Sequence, residues 1–181
     1  MKKIAMVLVI GCIILGAKVS LAGETDVNES SWVFQIGYSP LMAAVFGADE
    51  DGEGVAAALG PVHGGSLSVD WRGKGRWGVQ VPMSYHKSKD GNALGLGANA
   101  VCHFRGGEKR VDPYLLLGGK IYIAFGKDGG GVLPAPSLGF GLRGFFSKKI
   151  GIFVEAAGNG LPVPGGAVVI VEGRAGVSIR F

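Results

Sequence analysis

From Trp32 to the last residue the chain alternates large apolar side chains with small or polar ones, and runs of Gly, Pro, Asp and basic residues interrupt the alternation. Trp32, Phe34, Ile36 and Tyr38 fall on one face, with Val33, Gln35 and Gly37 on the other. Leu67, Val69 and Trp71 oppose Ser66, Ser68, Asp70 and Arg72. Trp77, Val79, Val81, Met83 and Tyr85 oppose Gly78, Gln80, Pro82, Ser84 and His86. A period of two places successive side chains on opposite sides of a strand. Further segments follow at Leu94–Phe104, Tyr114–Phe125, Leu138–Phe146 and Ile150–Ala156, where Phe153 weakens the pattern. In the last, Val169, Val171, Ala175, Val177, Ile179 and Phe181 stand against Glu172, Arg174, Gly176, Ser178 and Arg180. Eight strands are predicted.

The connections alternate in character. Arg72–Arg76, Arg105–Arg110 and Ser147–Lys149 are short and basic. Gly47–Gly65, Lys87–Ala93, Gly126–Pro136 and Gly158–Gly166 are mostly longer and rich in Gly, Pro and Asp. Short turns at one end and long loops at the other predict an antiparallel up-and-down arrangement, and an even strand number returns both termini to the short-turn side.

The first 22 residues do not share this alternation. Lys2 and Lys3 precede an apolar run from Ile4 to Ala17, and Ser20 and Ala22 follow it. Charge, then an apolar core, then small residues is the order of a secretory signal peptide, and the run is shorter than the roughly 20 residues of a spanning helix. The expected organisation is a signal peptide over 1–22 and one domain over 23–181. Of 18 Lys and Arg, Lys2, Lys3 and Lys18 lie in the leader, which leaves 15 against 14 Asp and Glu, a balance of +1. The basic character therefore belongs largely to the leader, and nucleic acid is not an expected partner. Cys12 lies in the leader and Cys102 is the other cysteine, so no disulfide within the mature chain is expected.

The face opposite the large apolar residues decides the solvent. A water-exposed face calls for Lys, Glu and Thr in quantity. Here it is mainly Gly, Ser and Ala with scattered charges of both signs, which suits the crowded lumen of a narrow barrel whose apolar side meets lipid. Trp71, Trp77, Phe104 and Phe146 fall beside the short turns, where an interfacial aromatic girdle belongs. The fold class expected is all-β, an eight-stranded antiparallel transmembrane barrel.

The run Cys102–Tyr114 leading into Leu115–Gly119, the Gly-x-Gly pairs at Gly95–Gly97 and Gly139–Gly141, and the ending Gly173–Phe181 resemble the small outer-membrane β-barrel proteins, the OmpA-type eight-stranded group. The resemblance implies an outer-membrane address with periplasmic termini, outer-membrane lipids and lipopolysaccharide as surroundings, and recognition of Phe181 by the barrel-assembly machinery. It transmits no single activity, because such barrels serve as adhesins, structural proteins, resistance factors and a few enzymes.

Strict alternation sends Asp70, Lys120, Arg143, Glu155, Glu172, Arg174 and Arg180 into the lumen as a mixed-charge network, with Glu155 and Glu172 the acidic partners nearest in strand order to Arg143 and Arg174. Eight strands leave room only for side chains, so a non-enzymatic structural or surface-interaction role is expected and a narrow pore is the lesser alternative. The enzymatic alternative is a lipid A hydrolase built on His86 and Ser88, whose spacing places both on one strand face. No acid stands at positions 98 and 100, both Ala, and Asp90 falls in a loop. His63, His86 and His103 lie on different segments, Asp49–Glu53 lacks calcium-loop spacing, and Gly129–Gly131 precedes no helix, so neither metal nor cofactor is expected. The apolar runs Val55–Leu59 and Leu161–Pro164 are contact patches or strand extensions above the bilayer.

Overall fold

In a computed structural model, residues 31–48, 54–73, 75–89, 91–104, 110–126, 129–163 and 166–181 are described, and the proposed leader, the Asp49–Glu53 run, Asp90 and most of the 105–110 turn lie outside them. The strand segments are β1 (Ser31–Tyr38), β2 (Leu41–Ala48), β3 (Gly54–Arg72), β4 (Trp77–Lys87), β5 (Gly91–His103), β6 (Val111–Gly126), β7 (Gly129–Phe145), β8 (Ile150–Val163) and β9 (Gly166–Arg180). β1 and β2 together form one stave, since both pair with β3 on one side and β9 on the other. Each remaining strand pairs antiparallel with its chain neighbour. The result is a closed ring of eight staves, the architecture that alternation predicts.

The first stave is broken at Ser39–Pro40 because proline has no N–H for the ladder. The backbone compensates locally: Ser39 N–H donates to Gly64 O at 2.9 Å, and Pro40 O accepts from Gly173 N–H at 2.9 Å. The register against β3 shifts between Leu41 and Ala43.

Closure is completed at the C-terminus, where Phe181 N–H donates to Trp32 O at 2.9 Å. The ends of β3 and β4, β5 and β6, and β7 and β8 that flank the three basic runs lie at this same end, as the alternation of connections requires. Trp32, Trp71, Trp77, Phe104, Phe146 and Phe181 are exposed there, and Tyr38, Tyr85 and Phe125 are exposed nearer the other end. Between them the outer surface is Ile36, Val69, Val79, Val81, Met83, Leu117, Ile121, Leu138, Ile152 and Val177. An apolar band bounded by aromatics on a closed barrel is the surface that lipid requires.

The long outer loops are corrected. The Gly47–Gly65 segment is mostly ladder, with Ala48↔Gly54 its last pair. Gly126–Pro136 becomes a hairpin closing at Gly126↔Gly129, and Gly158–Gly166 is paired to Val163↔Gly166. Their Gly, Ala and Val runs carry no polar alternate, so the period is invisible in sequence although the backbone still gains from pairing. A spanning strand needs about 9–11 residues. β3 has 19 and β7 has 17, whereas β4 has 11, so the wall rises unevenly above the band.

Candidate functional site: the barrel lumen

The inner face carries side chains from every stave, and glycine makes the room. At Gly141, opposite Tyr114 in the ladder, a Cβ would run into the Tyr114 ring. At Gly95 it would stand 2.7 Å from Ser84 Oγ and against the Lys120 side chain. The small lumen face read from the sequence is therefore space for a few large inward residues.

At the end bearing the termini, the Arg72 guanidinium donates to Asp112, and His103 Nδ1 lies 3.0 Å from the same carboxylate. Arg143 donates to Asp70 and its Nη1 stands 4.0 Å from Asp112. The Arg143 guanidinium also sits 5.0 Å from the centre of the Tyr114 ring.

At mid-height, Glu155 takes the Tyr114 hydroxyl proton donor, an ion pair from Arg174, and Gln80 Nε2 at 2.9 Å. Gln80 Oε1 accepts from Arg174 at 3.0 Å and from Asn99 at 3.2 Å, and Gln80 Nε2 also reaches Gln35 at 3.2 Å.

Toward the other end, Glu172 pairs with Lys120 and accepts from Ser39 at 2.9 Å and Tyr122 at 3.1 Å. Lys120 also donates to Ser84 at 2.8 Å. His86 Nε2 is 3.1 Å from Ser84 Oγ and 3.7 Å from Glu172. Above this layer Tyr122, Ala135 and Ile170 form an apolar cluster with Leu41 and Val168.

Four buried acids (Asp70, Asp112, Glu155, Glu172) thus face four buried bases (Arg72, Lys120, Arg143, Arg174). Several contacts cross the ring: β3 and β7 are opposite staves, joined by Asp70 and Arg143, as are β4 and β8, joined by Gln80 and Glu155. Charge compensation of this kind tolerates burial because each ion keeps a counter-ion, and most keep further hydrogen bonds, although Asp70 Oδ1 and Arg143 Nε and Nη1 have no hydrogen-bond partner. Among the described residues it obstructs the lumen with paired side chains rather than lining a channel with them.

Of the residues expected in the network, Asp70, Lys120, Arg143, Glu155, Glu172 and Arg174 are buried in the lumen. Arg180 is half-buried with its guanidinium 3.8 Å above the Phe145 ring. The pairing is corrected: Arg174 takes Glu155, its ladder neighbour, but Arg143 takes Asp70 from across the ring, and Glu172 serves Lys120. Strand order measures distance along the wall, whereas a narrow ring makes the diameter the shorter route. Arg72, His103, Asp112, Gln35, Gln80 and Tyr114 complete the network; alternation puts Gln35, Arg72, Gln80 and His103 on the polar face without marking them as members. Parity was the available signal, since Asp112 and Tyr114 share the face of Lys120, but Arg72 reads as part of a basic turn.

His86 and Ser88 are not brought together. His86 is buried in the lumen, while Ser88 caps the β4–β5 hairpin by donating to Gly91 O at 2.9 Å. The serine beside His86 is Ser84, and the carboxylate of Glu172 approaches the same imidazole nitrogen as that serine. A relay needs the acid on the opposite nitrogen, so no hydrolytic triad is assembled there. His63 instead lies on the outer face in contact with the Tyr38 hydroxyl. Among the described residues no group of His, Cys, Asp and Glu is arranged to hold a metal ion.

No family model and no curated protein matches the sequence. Solved structures do match in shape. Neisserial surface protein A aligns with a TM-score of 0.58 at 17% identity, over 85% of this chain and 100% of that one. Ail, the attachment invasion locus protein of Yersinia pestis, gives 0.56 at 19% over 85% and 100%. The outer membrane protein OprG from Pseudomonas aeruginosa gives 0.59 at 10% over 84% and 96%. Ring closure, the aromatic-bounded apolar band and these shared chain paths together make this fold that of the small eight-stranded outer-membrane β-barrels.

Proposed function

We propose that the protein is a non-enzymatic component of the outer membrane with a structural or surface-interaction role, its termini in the periplasm and its longer hairpins outside. The observation that carries this reading is the lumen, obstructed by buried ion pairs, one of them, Asp70–Arg143, between opposite staves. A barrel filled by fixed, mutually compensated charges offers no continuous water path along its axis. Its surroundings would be outer-membrane lipids and lipopolysaccharide, and any specific recognition would lie on the hairpins above the band, where sequence is freest to vary without disturbing the barrel.

Two measurements test this. Purified protein in planar bilayers should give no steady ionic conductance, and lipid A from cells with and without the protein should have the same mass spectrum. A sustained single-channel current would sink the filled-lumen role, and loss of acyl chains from lipid A would restore the hydrolase.

Biogenesis gives a further expected outcome. Phe181 is 75% exposed and its backbone closes the ring against Trp32. Its ring is free to serve as the recognition element for assembly, while the hydrogen bonds it adds lie at the last rung. Deleting Phe181 should therefore lower the amount assembled in outer membranes much more than it lowers the urea midpoint of protein already folded in detergent. Equal assembly of the deletion and the parent would end the proposed role.

A further inference from the structure

The ladder between β7 and β8 stops before either strand does. Its last pair is Ser137↔Asn159, yet β7 continues to Gly129 against β6 and β8 continues to Val163 against β9. In this stretch β7 carries Pro134 and Pro136, and β8 carries Pro162. Proline offers no N–H to a neighbouring strand. Two residues apart in a ladder, the nitrogens of Pro134 and Pro136 address the same side. Both remain in register with β6, opposite Ile121 and Gly119, so the side denied donors is the one facing β8. The result is a seam in an otherwise hydrogen-bonded wall.

The seam begins eight positions along β7 from Phe145. With about 9–11 residues needed to span, that places it in the leaflet away from the termini. Val132 and Leu138 are each 63% exposed beside it. Away from the seam, Pro134 and Pro136 also line a shallow, open groove over β5, β6 and β7 with Leu96, Lys120, Ile121 and Ala135. On the inner side lies the apolar cluster of Tyr122, Ala135 and Ile170. Asn159 stands at the foot of the seam and is fully buried. Its Nδ2 donates to Ile170 O on β9 at 3.2 Å, and its Oδ1 has no hydrogen-bond partner. A buried acceptor left unpaired keeps its desolvation penalty, which a ligand donor would recover.

We propose that this seam admits one neutral single-chain amphiphile, a long-chain alcohol in chemical class, from the surrounding leaflet. Its hydroxyl donates to Asn159 Oδ1 and its alkyl chain runs out past Pro134 and Pro136 into the leaflet beside Val132 and Leu138. A neutral head group is required because Lys120 and Glu172, the nearest buried charges below, already satisfy each other. The inference rests on the transmembrane reading of the barrel.

The test uses the full-length protein in phosphatidylcholine vesicles with a diazirine-bearing hexadecanol and the matching diazirine alkane, with cross-links mapped by mass spectrometry. Cross-links from the alcohol are expected at Tyr122, Ala135, Asn159 or Ile170 as well as at outward Leu117 and Leu138. Ala135→Phe, which fills the inner end, should reduce the inner set to background. Pro134→Val with Pro136→Val, which returns the missing donors, should do the same by a different route. Asn159→Leu should weaken inner labelling by the alcohol about three- to tenfold relative to the alkane. Folding of each variant is checked by its heat-dependent mobility on gels, and Ala135→Phe keeps the test available if the double proline variant does not assemble. Inner labelling that persists in both seam-filling and seam-closing variants, or labelling confined to Leu117 and Leu138, overturns the seam. Absence of labelling even at Leu117 and Leu138 would overturn the membrane reading itself.

Discussion

Replacing Asp70 by asparagine is expected to destabilise the barrel by about 3–5 kcal/mol, the cost of leaving one member of a buried ion pair without its counter-ion. The expectation rests on where the partner stands. Arg143 is completely buried, donates to Asp70 from the opposite stave, and has Asp112 as its other acid at 4.0 Å, a carboxylate already engaged by Arg72 and His103. Asparagine keeps the shape of the side chain and one acceptor oxygen for Arg143 while removing the charge, so the loss reads the ion pair rather than the packing. Arg143→Met should cost a similar amount for the converse reason, since Asp70 is then the stranded ion. The double variant should cost clearly less than the sum, because neither charge is left alone. Unfolding the four proteins in urea from lipid vesicles gives the comparison. Strict additivity would show that the pair does not act as one unit.

The second large effect belongs to Glu172. Changing it to glutamine should cost about 3 kcal/mol or more, because Lys120 is held in the lumen by that carboxylate. Ser39 donates to Oε1 and Tyr122 to Oε2, so the single amide oxygen can keep one of these hydrogen bonds, and the deficit reports the lost charge together with one hydrogen bond. Val171→Leu, one residue away, should change stability by no more than about 0.5 kcal/mol, since its side chain is half-exposed on the band and meets fluid lipid. The contrast between adjacent residues measures which face is which. A register slip of one would exchange their roles. A larger loss in Val171→Leu than in Glu172→Gln, or better access of a lipid-confined quencher to position 172 than to 171, would reverse the face assignment. Pairing Glu172→Gln with Lys120→Met should recover part of the loss, which identifies Lys120, not an arginine, as the ion left behind.

Much of the barrel was legible in the chain. In β4 the outward series Trp77, Val79, Val81, Met83, Tyr85 and the inward series Gly78, Gln80, Pro82, Ser84, His86 separate without exception, and exposure follows the same division. Phe153, which blurs the pattern in β8, is inward and buried at the level of Arg143, so the strand keeps its parity and only the chemistry of one position departs. The upper ends of β2, β3, β7, β8 and β9 were not legible. Alternation is written only where the two faces meet different environments. Segments such as Leu41–Ala48 and Gly129–Pro134 carry no such contrast, so they resemble loops until a neighbouring strand is seen to pair with them.

What the sequence determined by itself was the strand number, the antiparallel order, the end at which the short turns lie and the inward side to which Asp70, Lys120, Arg143, Glu155, Glu172 and Arg174 point. These follow from period two and from turn chemistry, both of which are local. Which acid meets which base was decided only by the tertiary structure, as was the break in the wall above Ser137 and Asn159. Asp70 and Arg143 are 73 positions apart and meet because ring closure sets β3 opposite β7. The prolines of β7 could be read in the chain, but the side to which they deny a hydrogen bond depends on the ladder phase that closure selects. A local pattern specifies the direction of a side chain, and the curvature of the closed sheet specifies what it reaches.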